Sequence, residues 1–235
     1  MKLNEVMAEL KKLGNEQQRK TYRNHGAEGD FYGVRIGDLK VVAKKIKGDQ
    51  ALALELYGTG NLDAMYLAGL VVDGAKMSKK DLKAWSKAAS WAMISEYTVP
   101  WVTAESTFAR ELALEWMDSS RESIAAAGWN TYAGLISLRP DDQLDLKEIQ
   151  GLLDRVVKEI KTAPNRVRYC MNSFVIAVGV SIKSMLGRAK AAAERIGKVD
   201  VDMGDTSCKV PSAMEAIGKV EVMGRVGKKR KTMKC

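Results

Sequence analysis

Apolar side chains return at helical spacing along most of this chain, and only 4 prolines interrupt its 235 residues. Leu3, Val6, Met7, Leu10 and Leu13 begin the pattern and fall on one face of a helix. Similar patterns predict helices over about 49–57, 61–74, 79–96, 102–118, 120–138, 146–161, 165–186 and 187–196. Gly58 to Gly60, Gly74 to Met77, Tyr97 to Pro100 and Arg139-Pro140 read as the short linkers between them. The stretch from Asn15 to Glu28 is polar and carries no stripe, and Asp38 reads as the N-cap of a helix through Leu39, Val42 and Ile46. Proline breaks the hydrogen-bond ladder of a helix, so its scarcity and the near absence of strand alternation predict an all-α protein.

Lys and Arg number 38 against 29 Asp and Glu, a formal charge of +9 that favours an anionic partner, above all nucleic acid. Apolar residues at 46% and charged residues at 29% exclude intrinsic disorder. Cys170, Cys208 and Cys235 are too far apart in sequence to signal a redox pair or a zinc knuckle. A single histidine, His25, speaks against an imidazole metal site and a Ser-His-Asp triad. Asp200, Asp202 and Asp205 lack the spacing of a calcium loop. Neither glycine motif that cradles phosphates occurs. No metal, no cofactor and no nucleotide cofactor are therefore expected. No apolar run approaches the ~20 residues that span a bilayer. The expectation is a cytoplasmic monomer that meets no membrane.

Helix pairs recur at roughly 35–45 residues, the range of HEAT-type repeats. Stacked pairs leave a concave face suited to extended partners. This predicts a HEAT-like helical-repeat superhelix over residues 1–196, followed by an irregular extension over 197–235. That extension reads as an extended segment and turn to Cys208, a short helix from Pro211 to about Gly218, and a basic tail.

The run Phe31-Tyr32-Gly33-Val34-Arg35-Ile36-Gly37-Asp38-Leu39-Lys40 resembles the DNA alkylation repair (AlkD-like) family, in which a Gly-Val-Arg-x-x-Asp-Leu turn opens a helix. The resemblance continues through Leu62 to Leu70 and the regions of Trp101 and Trp129, and weakens beyond about residue 190. It implies a superhelix whose basic concave face holds duplex DNA, alkylated or structurally distorted. The family includes glycosylases that release cationic N3- or N7-alkylpurines and members that bind DNA without that activity.

A cationic alkylpurine leaves without a general acid, so the enzyme's task is to stabilise an oxocarbenium-like sugar with a carboxylate and aromatic faces. The family's Trp-x-x-x-Asp pattern places both one helical turn apart. Here it stands as Trp101 and Glu105, the candidate catalytic pair, with the carboxylate one methylene longer. Where the family has an Arg after a Trp on a later helix, Trp129 is followed by Asn130, Thr131 and Tyr132, and a further expected aromatic is Val180. Candidate DNA contacts are Arg35, Lys40, Lys44, Trp129, Lys228, Lys229, Arg230 and Lys231. Three readings stand: a DNA glycosylase (a hydrolase), a non-catalytic DNA-structure binder, and a scaffold for a protein partner.

Overall fold

The computed structural model describes residues 1–234, and among them there are helices, turns and extended segments but no strand. The α-helices are α1 (Leu3–Leu13), α2 (Glu16–Asn24), α3 (Ile36–Lys45), α4 (Gln50–Gly58), α5 (Leu62–Val71), α6 (Lys79–Ala88) and α7 (Val99–Ala104). They continue as α8 (Ala109–Met117), α9 (Glu122–Leu138), α10 (Leu146–Glu159), α11 (Asn165–Ser181), α12 (Leu186–Ile196) and α13 (Ala213–Val222). Helices α3, α5, α7, α9 and α11 form an inner row, each packed on the next. Helices α4, α6, α8, α10 and α12 back that row. This is a HEAT-like superhelix.

The starts of six helices follow from local chemistry. Asn15, Asp49, Asn61, Ser78, Asp145 and Ser212 each accept a hydrogen bond from the backbone N–H three residues on. Burial then separates the rows. Outer helix α10 buries one stripe, Ile149, Leu152, Leu153 and Val156, whereas Leu62 to Gly69 of α5 are buried on every side. The inner row is the middle of the protein.

Four local expectations need correction. The polar stretch after Asn15 is helical, as α2, and buries only Tyr22. Helix α3 starts at Ile36, so Asp38 lies in its first turn and Arg35 occupies the cap. The predicted helix over 102–118 breaks at Glu105–Phe108, where Ser106 Oγ donates to Thr103 O at 2.7 Å and accepts from Phe108 N at 3.2 Å. The predicted linker around Pro100 is helical too: a π-helical turn, Met93–Thr98, runs directly into α7. Pro100 has no N–H, which leaves the oxygen of Glu96 without its helical partner, and Asn130 Nδ2 donates to it at 2.8 Å.

The C-terminal extension frames the inner row. Its first segment crosses the start of α11, where Asn165 makes two hydrogen bonds to the backbone of Asp202, at 2.7 and 2.9 Å. Helix α13 packs on α11 and α12 with Ile217 fully buried. Residues 225–234 return across the C-terminal ends of four inner helices. Gly227 N donates to Val180 O at 2.9 Å and Arg230 N to Ser137 O at 2.8 Å. Lys229 Nζ reaches Ile136 O at 2.9 Å, and Lys234 Nζ reaches Val72 O. Those carbonyls are the acceptors a helix leaves unpaired at its negative end, so cations belong there.

Candidate nucleic-acid interface

The Gly-Val-Arg turn is built around a carboxylate from α5. Asp63, 2% exposed, accepts from the N–H groups of Tyr32 at 2.6 Å, Gly33 at 3.0 Å and Val34 at 3.0 Å. Burial pushes its carboxyl above the ordinary range, against the pull of the three donors. Gly33 has φ +76°, and a Cβ there would sit 2.5 Å from Arg19 Cγ, so the position admits only glycine. The turn hands the chain to α3, and Arg35 at its cap and Lys40 and Lys44 along it are exposed and make no ion pair among the described residues.

The inner row exposes a narrow aromatic strip. Trp101 meets Tyr66 edge-on at 5.6 Å and Tyr97 at 5.9 Å between ring centroids. Tyr97 Oη lies 3.5 Å from Tyr169 Oη, and the Arg166 guanidinium sits 4.7 Å over the Tyr169 ring. Arg166 is itself pinned by Glu96, Nε to Oε1 and Nη2 to Oε2, both at 2.6 Å. The Glu96 side chain is 0% exposed; burial pushes its carboxyl up while Arg166 pulls it down. Burial likewise raises the Tyr97 phenol, with Tyr169 beside it. Tyr97 and Tyr169 are half-buried, whereas Trp101 is only 7% exposed.

Trp101 and Glu105 lie a helical turn apart but have different neighbours. Glu105 Oε1 accepts from Thr232 Oγ1 at 2.6 Å and Met233 N at 3.3 Å, and Oε2 faces Lys234 Nζ at 3.6 Å. The basic tail therefore sits on this carboxylate. Trp129, taken from sequence as a DNA contact, is fully buried; it packs against Phe174 at 5.3 Å and under Arg155, so its ring faces the core. Lys229 is held by Ile136 O and by Asp141 at 2.7 Å, while Lys228, Arg230 and Lys231 keep exposed side chains.

Sequence reasoning missed Tyr97, Tyr169, Arg166, Glu96 and Asn130. Part of the signal was present: Met93, Tyr97 and Trp101 recur at i, i+4 and i+8, and Arg166 and Tyr169 at i, i+3. Reading Tyr97 as linker hid the first stripe.

A model of the family described as DNA alkylation repair enzyme matches residues 6–183. The chain belongs to the DNA alkylation repair family. Two uncharacterised Listeria proteins resemble this family member over 90% of its length and 93% of theirs: Lin0241 of Listeria innocua serovar 6a at 33% identity, and Lmo0209 of Listeria monocytogenes serovar 1/2a at 32%. A solved structure covers 100% of both chains with a TM-score of 0.90 and 37% identity. It is described as representing a new family of proteins related to the HEAT-like repeat DNA glycosylases, with affinity for branched DNA structures.

Among the described residues of this alkylation repair family member, no group of His, Cys, Asp and Glu is placed to hold a metal ion. No single helix there is long and apolar enough to cross a membrane. The carboxylates near the strip already have partners: Glu96 has Arg166, Glu105 has the tail, and Glu122 accepts from Arg166 N at 2.6 Å.

Proposed function

We propose that this protein binds branched or otherwise distorted DNA along the aromatic strip of its inner row and does not hydrolyse N-glycosidic bonds. The observation that carries this reading is the tail on Glu105. Stabilising a sugar cation needs an anion aimed at the developing charge. A carboxylate already bonded to Thr232 and Met233 and facing Lys234 is not so aimed. Glu96 is no substitute, since Arg166 takes both of its oxygens. DNA as partner is supported by the net charge of +9, the family, and the branched-DNA affinity ascribed to the structural relative.

Two measurements test it together. Mobility shifts at one fixed salt concentration compare a four-way junction with a linear duplex of the same length, and tighter binding to the junction is expected. Single-turnover incubation with duplex containing N7-methylguanine is expected to release no base above the spontaneous rate. Equal binding to the two DNAs, or base release that is lost in Glu105→Ala, overturns the proposal.

A further inference from the structure

A cleft of about 700 Å³ opens beside the aromatic strip, at the edge where the π-helical turn and α11 begin. That volume lies in the range of small-molecule sites. Its walls include Tyr22, Trp91, Met93, Tyr97, Tyr169 and Met203. The polar ends of most of these rings are already bonded. Trp91 Nε1 donates to His25 O at 2.9 Å, Tyr22 Oη to Val34 O at 2.6 Å, and the Tyr97 and Tyr169 hydroxyls face each other. Tyr22 and Trp91 are nearly buried, so an occupant meets mainly the rings of Tyr97 and Tyr169 and the thioethers of Met93 and Met203, beside the polar side chains of Gln18, Asn165 and Asp202.

The roof is the segment over 202–209, to which the sequence assigned no role. Gly204 fits it against the end of α2: at φ +75°, a Cβ there would stand 2.4 Å from Asn24 O. Asn165 ties the same segment to α11 through Asp202, and Arg166 Nη1 touches Met203 Sδ at 3.3 Å. A glycine-dependent contact and a paired side-chain clamp thus converge on closing this space. Lys209 stands at the rim, exposed and without an ion pair among the described residues.

We propose that this cleft receives one unpaired nucleobase of bound DNA between its aromatic and thioether walls, with Lys209 on the adjoining phosphate. The inference rests on the DNA-binding reading above. A flat ring with stacking faces and a polar edge, carrying an anion, is the chemistry these walls and their polar neighbours fit, and branch points are where DNA offers unstacked bases. Stacking on aromatic side chains is tolerant of base identity, so the cleft recognises the unpaired state rather than a sequence.

The test compares a duplex carrying one unpaired adenosine with the same duplex carrying an abasic site there. The base-bearing DNA is expected to bind about tenfold tighter, the size of effect that loss of one stacked base produces. Tyr97→Ala and Tyr169→Ala are expected to bring that ratio close to unity, and Tyr97→Phe to restore it, since the ring face returns. Gly204→Val, which drives a side chain into Asn24, lowers the ratio by lifting the roof. Equal affinities in the wild type, or a ratio that survives both alanines, overturns the proposal and leaves DNA binding standing. Failure to bind either DNA removes the DNA-binding reading and this one with it. Free deoxyadenosine monophosphate that saturates the cleft while the two DNAs bind alike assigns it to a small molecule and also overturns the proposal.

Discussion

Asn130 Nδ2 donates to the main-chain oxygen of Glu96 across 2.8 Å, from α9 to the π-helical turn. The bond compensates a defect that Pro100 creates in its own helix. It also fixes the turn that carries Glu96 and Tyr97 to the helix beside it, so the strip is positioned by a contact between repeats.

Replacing Asn130 with alanine is expected to cost about 1–3 kcal/mol, the range for a buried polar group deprived of its partner. In a Pro100→Ala background the helix regains the N–H it lacked, and the same substitution costs less. Chemical denaturation of the four proteins in this double-mutant cycle measures the difference; equal costs in both backgrounds refute the coupling.

Arg166→Met strands the Glu96 carboxylate in the interior. The expected loss is about 3–5 kcal/mol near neutral pH, since an unpaired buried charge remains. Without its cation, the folded-state pKa of Glu96 rises further above that of the unfolded chain. The folded protein then holds the proton more tightly than the unfolded one, so stability falls as pH rises and recovers as pH drops toward the ordinary carboxylate range. Urea melts at neutral and mildly acidic pH are expected to show the deficit shrinking in acid, and Glu96→Gln in the same chain to remove most of it.

The tail's cations divide into two kinds. Lys229, bonded to Ile136 O and Asp141, is structural, and Lys229→Ala is expected to cost about 1–2 kcal/mol of stability. Replacing exposed Lys228, Arg230 and Lys231 together is expected to leave the melting temperature unchanged. It lowers the salt dependence of DNA binding by about 0.9 for each phosphate they neutralised. An unchanged slope would place the tail outside the DNA interface.

Asp63→Ala removes the acceptor of three backbone donors in the Gly-Val-Arg turn. A loss of about 3 kcal/mol is expected, with faster amide exchange at Val34, and Asp63→Asn is expected to lose less because one acceptor oxygen remains. Slow exchange at Val34 in the alanine variant would contradict this account of the turn.

What the sequence revealed follows from the range of the forces involved. Helix stripes and side-chain caps are local, so the all-α repeat architecture was legible from Leu3 to Ile196, and the turn at Gly33 announced its family. Pro100 misled because the partner that rescues its helix, Asn130, lies thirty-four positions from the rescued oxygen of Glu96. Helix α2 was hidden because it buries one residue and so has no stripe. The place of Lys229 was hidden because composition does not distinguish an anionic ligand from the carbonyl end of a helix, where Ile136 O and Asp141 hold it. The role of Gly204 depends on Asn24, at the other end of the chain, and no local pattern encodes that contact.

The inner helices α5, α7, α9 and α11 all end beneath the same extended segment, so they run in one direction. Their peptide dipoles therefore add rather than cancel. One rim of the molecule presents aligned amide hydrogens and the opposite rim aligned oxygens, a polarity that the backbone sets before any lysine is counted. That charge is felt within about one turn of each helix end, so it acts on groups seated at the rims, as Lys229 and Lys234 are on the oxygen side.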